Sequence, residues 1–75
     1  MKLNIDEEAD ALHLQLVDVP VVESEEVAPG VIVDYDSANQ VVGIEILYLS
    51  KRPQPVNMTD FSLNTTPKSQ SKALA

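Results

Sequence analysis

A chain of 75 residues with no cysteine, one histidine and a net charge of −7 excludes several functions at once. A domain of this length buries only about 60 % of the surface its unfolded chain exposes, and no disulfide or thiolate site can reinforce it, so self-association or a partner chain is expected. Direct nucleic-acid binding is excluded too, because it works by neutralising phosphates with Lys and Arg.

The charge is unevenly placed. Residues 1–50 hold 1 base and 11 acids, whereas residues 51–75 hold 4 bases and 1 acid. A basic protein surface is the complementary partner for such a domain. The opening MKLNIDEEAD carries one Lys and no apolar run, so neither a signal peptide nor a membrane span is expected, and the location expected is cytoplasmic.

Lys2 to Ile5 alternates polar and apolar residues, with Leu3 and Ile5 on one side, as a short first strand does. The charged run Asp6 to Asp10 interrupts it and reads as a turn. Alternation resumes from Ala11 to Leu16, where Leu12, Leu14 and Leu16 face the core and His13 faces out as an ordinary surface residue. Pro20 then marks an edge or a strand start, and Val21 to Val27 forms a third strand carrying Glu23, Glu25 and Glu26. Ala28-Pro29-Gly30 suits a type II turn, with Pro setting φ and Gly accepting a positive φ. Such a turn matches hairpin twist poorly, so a bulged or splayed corner is expected there.

The stretch Gly30 to Leu49 is the centre of the fold. Two β-branched runs, Val31 to Tyr35 and Val41 to Leu49, flank the polar loop Asp36 to Gln40, the composition of a hairpin. In the second run Val42, Ile44 and Ile46 point one way, while Gly43, Glu45 and Leu47 point the other. Glu45 interrupts a window of high β-propensity and reads as an outward or edge-facing guard against aggregation. Past Leu49 come Pro53 and Pro55, where a ladder must stop. The expected fold is therefore mainly β: a small antiparallel sheet of about five strands built from hairpins over residues 1–52. Its expected core is Leu3, Ile5, Leu12, Leu14, Leu16, Ile44 and Ile46. A polar tail over residues 53–75 follows, expected to be disordered when alone, with one short added strand near 60–65 anchored by Phe61 and Leu63 as the alternative, and a frayed end beyond Pro67.

No residue set amounts to a catalytic site. Asp34, Asp36 and Glu45 imitate positions 1, 3 and 12 of a calcium-binding loop, but Ala38 and Asn39 stand where a ligand and a Gly are needed. Ser24 or Ser50 with His13 and an Asp would spell a hydrolase triad, yet no nucleophile-elbow motif supports it. Neither a cofactor nor a metal is expected, and the chain reads as non-enzymatic. The candidate binding residues are Glu23, Glu25 and Glu26, clustered on one strand. Asn57-Met58-Thr59 and Asn64-Thr65-Thr66 match a glycosylation sequon, which carries no meaning for a cytoplasmic chain.

DEEADALHLQL, ESEEVAPGVIVDYD, VVGIEIL and SKR together resemble the domain-of-unknown-function family numbered 2283, small bacterial β proteins, over about residues 1 to 52. The carrying positions are Asp6, Glu8, Ala9, Asp10, Ala11 and Leu12 at the opening, Pro29 and Gly30 at the turn, and Gly43 to Ile46 in the last strand. Members commonly carry Asp-Ala-Ser after that strand; this chain has Tyr48-Leu49-Ser50. Some members are similar to presumed antitoxins of two-gene modules, so the resemblance implies an interaction module that masks a small basic toxin. A self-associating module whose sheet edges pair between copies is the alternative.

Overall fold

The computed structural model describes residues 1–69. Its strands are β1 (Lys2–Asp6), β2 (Ala11–Gln15), β3 (Glu23–Ala28), β4 (Val31–Tyr35) and β5 (Val41–Ile46), with a 3-10 turn at Leu49–Lys51. All five strands lie in one sheet in the order β1-β2-β5-β4-β3, and every neighbouring pair is antiparallel. The hairpin of β1 and β2 thus joins the meander of β3, β4 and β5 through the β2–β5 ladder. Because residues 16–22 carry the chain from β2 to the far edge, strands β2 to β5 make a Greek key.

Short polar side chains build the turns. Asp6 Oδ1 accepts a hydrogen bond from Ala9 N, and Asp10 closes the first turn at φ 57°, a conformation Asp tolerates better than most residues. Gly30 has φ 75°, as a type II turn requires, and its N–H donates to Glu26 Oε2. The expected bulge is present: Glu26 pairs with Ile32 and Ala28 with Val31, leaving Val27 between them unpaired. At the β4–β5 loop Asp36 Oδ1 accepts from both Ala38 N and Gln40 N, while Asn39 turns the chain at φ 62°.

Register places the apolar residues in rows on one face. Leu3 pairs with Leu14, Leu14 with Ile44, Ile44 with Val33 and Val33 with Glu25; the next row runs Ile5, Leu12, Ile46 and Val31. The foreseen face is therefore correct, but the foreseen core is not. Ile5, Leu12, Leu14, Leu16, Ile44 and Ile46 are only half-buried and Leu3 is 44 % exposed. The buried apolar residues are Ala11, Val42 and Leu49, the last at 1 % exposure. A sheet with one apolar face needs a second layer to bury it, and the described residues supply none.

The chain departs from expectation at two further places. β5 ends at Ile46 rather than at Leu49, because Tyr48 turns the backbone at φ 57° and Leu49–Lys51 coils into the 3-10 turn. That conformation is unfavourable for a bulky residue. Leu49 N donates to Asp10 O, and Ser50 donates from both N and Oγ to the Asp10 carboxylate, which ties the turn to the β1–β2 corner. Residues 61–69 carry no regular structure, so the short strand near 60–65 does not form. Phe61 and Leu63 are exposed and pair with no edge. The frayed end expected beyond Pro67 lies, from residue 70, outside the described residues.

Candidate functional site

The acidic strand β3 is an edge strand, exposed along its whole length. Its three glutamates do not share one surface. Glu23 pairs with Tyr35 and Glu25 with Val33, which puts both at the rim of the apolar face, whereas Glu26 pairs with Ile32 and points to the other face. Glu26 is also engaged in its own turn through Gly30 N. Tyr35 Oη donates to Glu25 Oε1 at 3.3 Å. Desolvation raises the Tyr35 phenol above its ordinary value of 10.0, and the carboxylates of Glu25 and Glu23 add to that.

The opposite face carries a polar strip that crosses four strands. Ser24 Oγ on β3 donates to Asp34 Oδ1 on β4 at 2.7 Å, and His13 Nε2 on β2 lies 3.3 Å from Asp34 Oδ2. Because a carboxylate only accepts, this contact places the proton on Nε2. Between His13 and Asp34 stands Gly43 on β5, paired with Asp34 on one side and with Gln15 on the other. A Cβ at Gly43 would lie 3.0 Å from Asp34 Oδ2 and 3.2 Å from His13 Nε2. The bare backbone is what lets the two side chains meet across a whole strand.

Ser24, Asp34 and His13 are thus brought together, but in the order Ser–Asp–His. A nucleophilic serine needs the imidazole as its proton acceptor, with the carboxylate behind the ring. Here the carboxylate stands between them and holds both partners. Ser50, the other serine considered, donates its hydroxyl proton to Asp10 rather than to His13. Asp34, Asp36 and Glu45 are not assembled into a cation site: Asp36 caps its own loop, and among the described residues no group of three or more His, Cys, Asp or Glu side chains is placed to hold a metal. Glu45 faces the polar side, opposite His13 and Ile32, in the middle of the sheet rather than at an edge.

Two depressions lie beside His13. One is lined by Lys2, Asn4, His13 and Gln15, another by Asn4, Asp6, Ala11, His13 and Glu45 among others. Among the described residues no helix is long and apolar enough to cross a membrane. Composition pointed to Glu23, Glu25 and Glu26 but gave no sign of the Ser24–Asp34–His13 strip, for which the pairing of β2 with β5 must be known. Gly43 inside a strand pattern was the one available signal of close approach.

No match to the chain was found among curated proteins or among solved structures. A family model does match, over residues 2–50, which spans all five strands and ends inside the 3-10 turn. The turn residues Asp6 and Asp10, the Pro29-Gly30 corner and Gly43 all fall within that match, and the chain belongs to the family described as protein of unknown function, DUF2283.

Proposed function

We propose that this chain is a non-enzymatic protein-interaction module that presents its apolar sheet face, rimmed by Glu23 and Glu25, to another protein surface. The observation that carries this reading is the half-buried state of Leu12, Leu14, Val31, Val33, Ile44 and Ile46 on one side of a single-layer sheet. A contiguous apolar patch of this kind, with a polar rim, is the usual mark of an interaction surface. The serine and histidine that an acyl-transfer enzyme would use are both turned toward Asp34, which supports a structural role for them.

The antitoxin-like form of this reading adds a small basic partner. It is supported by the excess of acids over residues 1–50 and by the free β3 edge. Complementary charge at the rim accelerates encounter and fixes orientation, while the apolar face supplies affinity. Purification from cells that make the chain, at moderate ionic strength, is the test. The chain should emerge in an assembly larger than its own 8.2 kDa, and Glu23→Lys with Glu25→Lys should weaken the salt response of any basic partner. A bare monomer that binds an apolar dye on its open face would refute the module reading.

A further inference from the structure

The two edges of the sheet are built differently. β3 carries Glu23, Glu25 and Glu26 and is bulged at Val27, and both devices discourage strand addition. β1, at the other end of the sheet, has neither. Its five residues pair with β2 in one uninterrupted register, and no described segment pairs with its outer side. Such an edge presents a row of unpaired backbone N–H and C=O groups to an incoming strand.

We infer that the strand it takes is β1 of a second copy, the two joining antiparallel about a two-fold axis through Asn4 into one sheet of ten strands, twice the five present. The sequence KLNID selects this occupant because it is complementary to itself when reversed. Lys2 falls opposite Asp6 of the second copy, Leu3 opposite Ile5, and Asn4 opposite its own duplicate. Residues directly opposite in an antiparallel pair point to the same face. Leu3 and Ile5 therefore meet on the apolar side, while the two Lys2–Asp6 pairs and the Asn4 amides meet on the polar side. The groups needed are available: Lys2 makes no ion pair among the described residues, and Asp6 engages only Oδ1 in its own turn, leaving Oδ2. The apolar rows of the two copies run on into each other, from Leu14 and Leu3 of one to Ile5 and Leu12 of the other.

Other pairings fit less well. A centre at Leu3 sets Lys2 opposite Asn4, and a centre at Ile5 sets Leu3 opposite Glu7. A slip of one residue turns the apolar faces of the two copies to opposite sides. β3 against its own duplicate crowds glutamates together, and β1 against β3 of another copy is a head-to-tail contact that leaves a free edge at each end and does not close. The inference concerns the edge and goes beyond the interaction-module reading, which concerns the face.

Sedimentation equilibrium on the full chain should give, at high concentration, a mass twice 8.2 kDa. Lys2→Asp sets acid against acid in both pairs and should weaken the dimer about tenfold. Asp6→Lys should weaken it too, and a mixture of the two variants should form a heterodimer, since every pair is then opposite in sign. Because Asp6 also holds the first turn, circular dichroism checks the fold of its variant, and a cysteine test avoids charge changes altogether. The chain has no cysteine. Asn4 and its duplicate stand about 4.5–5.5 Å apart at Cα in either kind of antiparallel pair, so Asn4→Cys should become a disulfide-linked dimer under oxidised glutathione. Lys2→Cys, at opposite ends of the paired strands, should not link to itself. A chain that sediments at one mass of 8.2 kDa at every concentration overturns the inference. So does a dimer that Lys2→Asp leaves unchanged, or one in which folded Asn4→Cys does not link. A chain that is monomeric alone yet binds another protein through its apolar face would sink the edge-paired dimer and leave the interaction-module reading standing.

Discussion

His13 Nε2 and Asp34 Oδ2 meet at 3.3 Å over Gly43, although β5 separates their two strands. With His13 43 % exposed and Asp34 14 %, their coupling should be only about 0.2–1 kcal/mol. A double-mutant cycle of His13→Ala and Asp34→Ala measures it. Repeated in a Gly43→Ala background, the cycle should return no coupling, since the added Cβ occupies the space between the two groups. Stability itself should change little, because replacing Gly reduces the entropy of the unfolded chain and offsets the lost contact. Coupling that survives unchanged in that background would show that Gly43 is not the reason the pair forms.

Asp10 gathers three hydrogen bonds, two on its carboxylate from Ser50 and one on its carbonyl from Leu49 N, and it does so at a positive φ. Asp10→Ala removes the carboxylate and places a less tolerant residue in that conformation, at a cost of about 2–3 kcal/mol. Asp10→Asn keeps the conformational tolerance and an acceptor oxygen, so its denaturant midpoint should fall between the two. Equal midpoints for the Ala and Asn variants would contradict this.

Tyr48 holds φ 57° with an exposed side chain. Tyr48→Asn should therefore raise stability, by about 0.5–1 kcal/mol. A destabilised Asn variant would mean that the packing of the ring, which lies 3.4 Å from where a Cβ on Gly30 would stand, outweighs the backbone strain.

The Tyr35 hydroxyl has a folded pKa above 10.0 through desolvation and its neighbours Glu25 and Glu23. Its neutral form is favoured by folding, so the stability linked to it is fully present below pH 10.0 and is lost as pH rises through the folded value. Unfolding midpoints measured on either side of that interval should drop more for the native chain than for Tyr35→Phe. Identical pH responses would show that the phenol is not perturbed.

The strands and their apolar face were legible in the sequence because alternation at period two is a local signal. Pro29-Gly30 announced its turn, and the poor fit of that turn to hairpin twist announced the bulge at Val27. What escaped was long-range. Leu49 lies beyond the last strand yet is the most buried of the described apolar side chains, because Ser50 and Asp10 fold it back onto the first corner. The polar strip depends on β2 pairing with β5 across a gap in sequence, which no pattern within either strand encodes. Likewise, alternation identified Leu12, Leu14 and Ile44 as inward-facing but was silent on whether this chain supplies the layer that covers them.

That covering is the central claim, and methyl protection tests it most directly. With a soluble paramagnetic agent, the methyl groups of Leu14, Val33 and Ile44 should relax slowly in the assembly purified from cells that make the chain, as in an interior. Val17 and Leu63, exposed in the chain, should relax fast. When that assembly is dissociated, the first three should become accessible together. Methyls of Leu14, Val33 and Ile44 that are as accessible in the assembly as in the free folded chain would contradict the account.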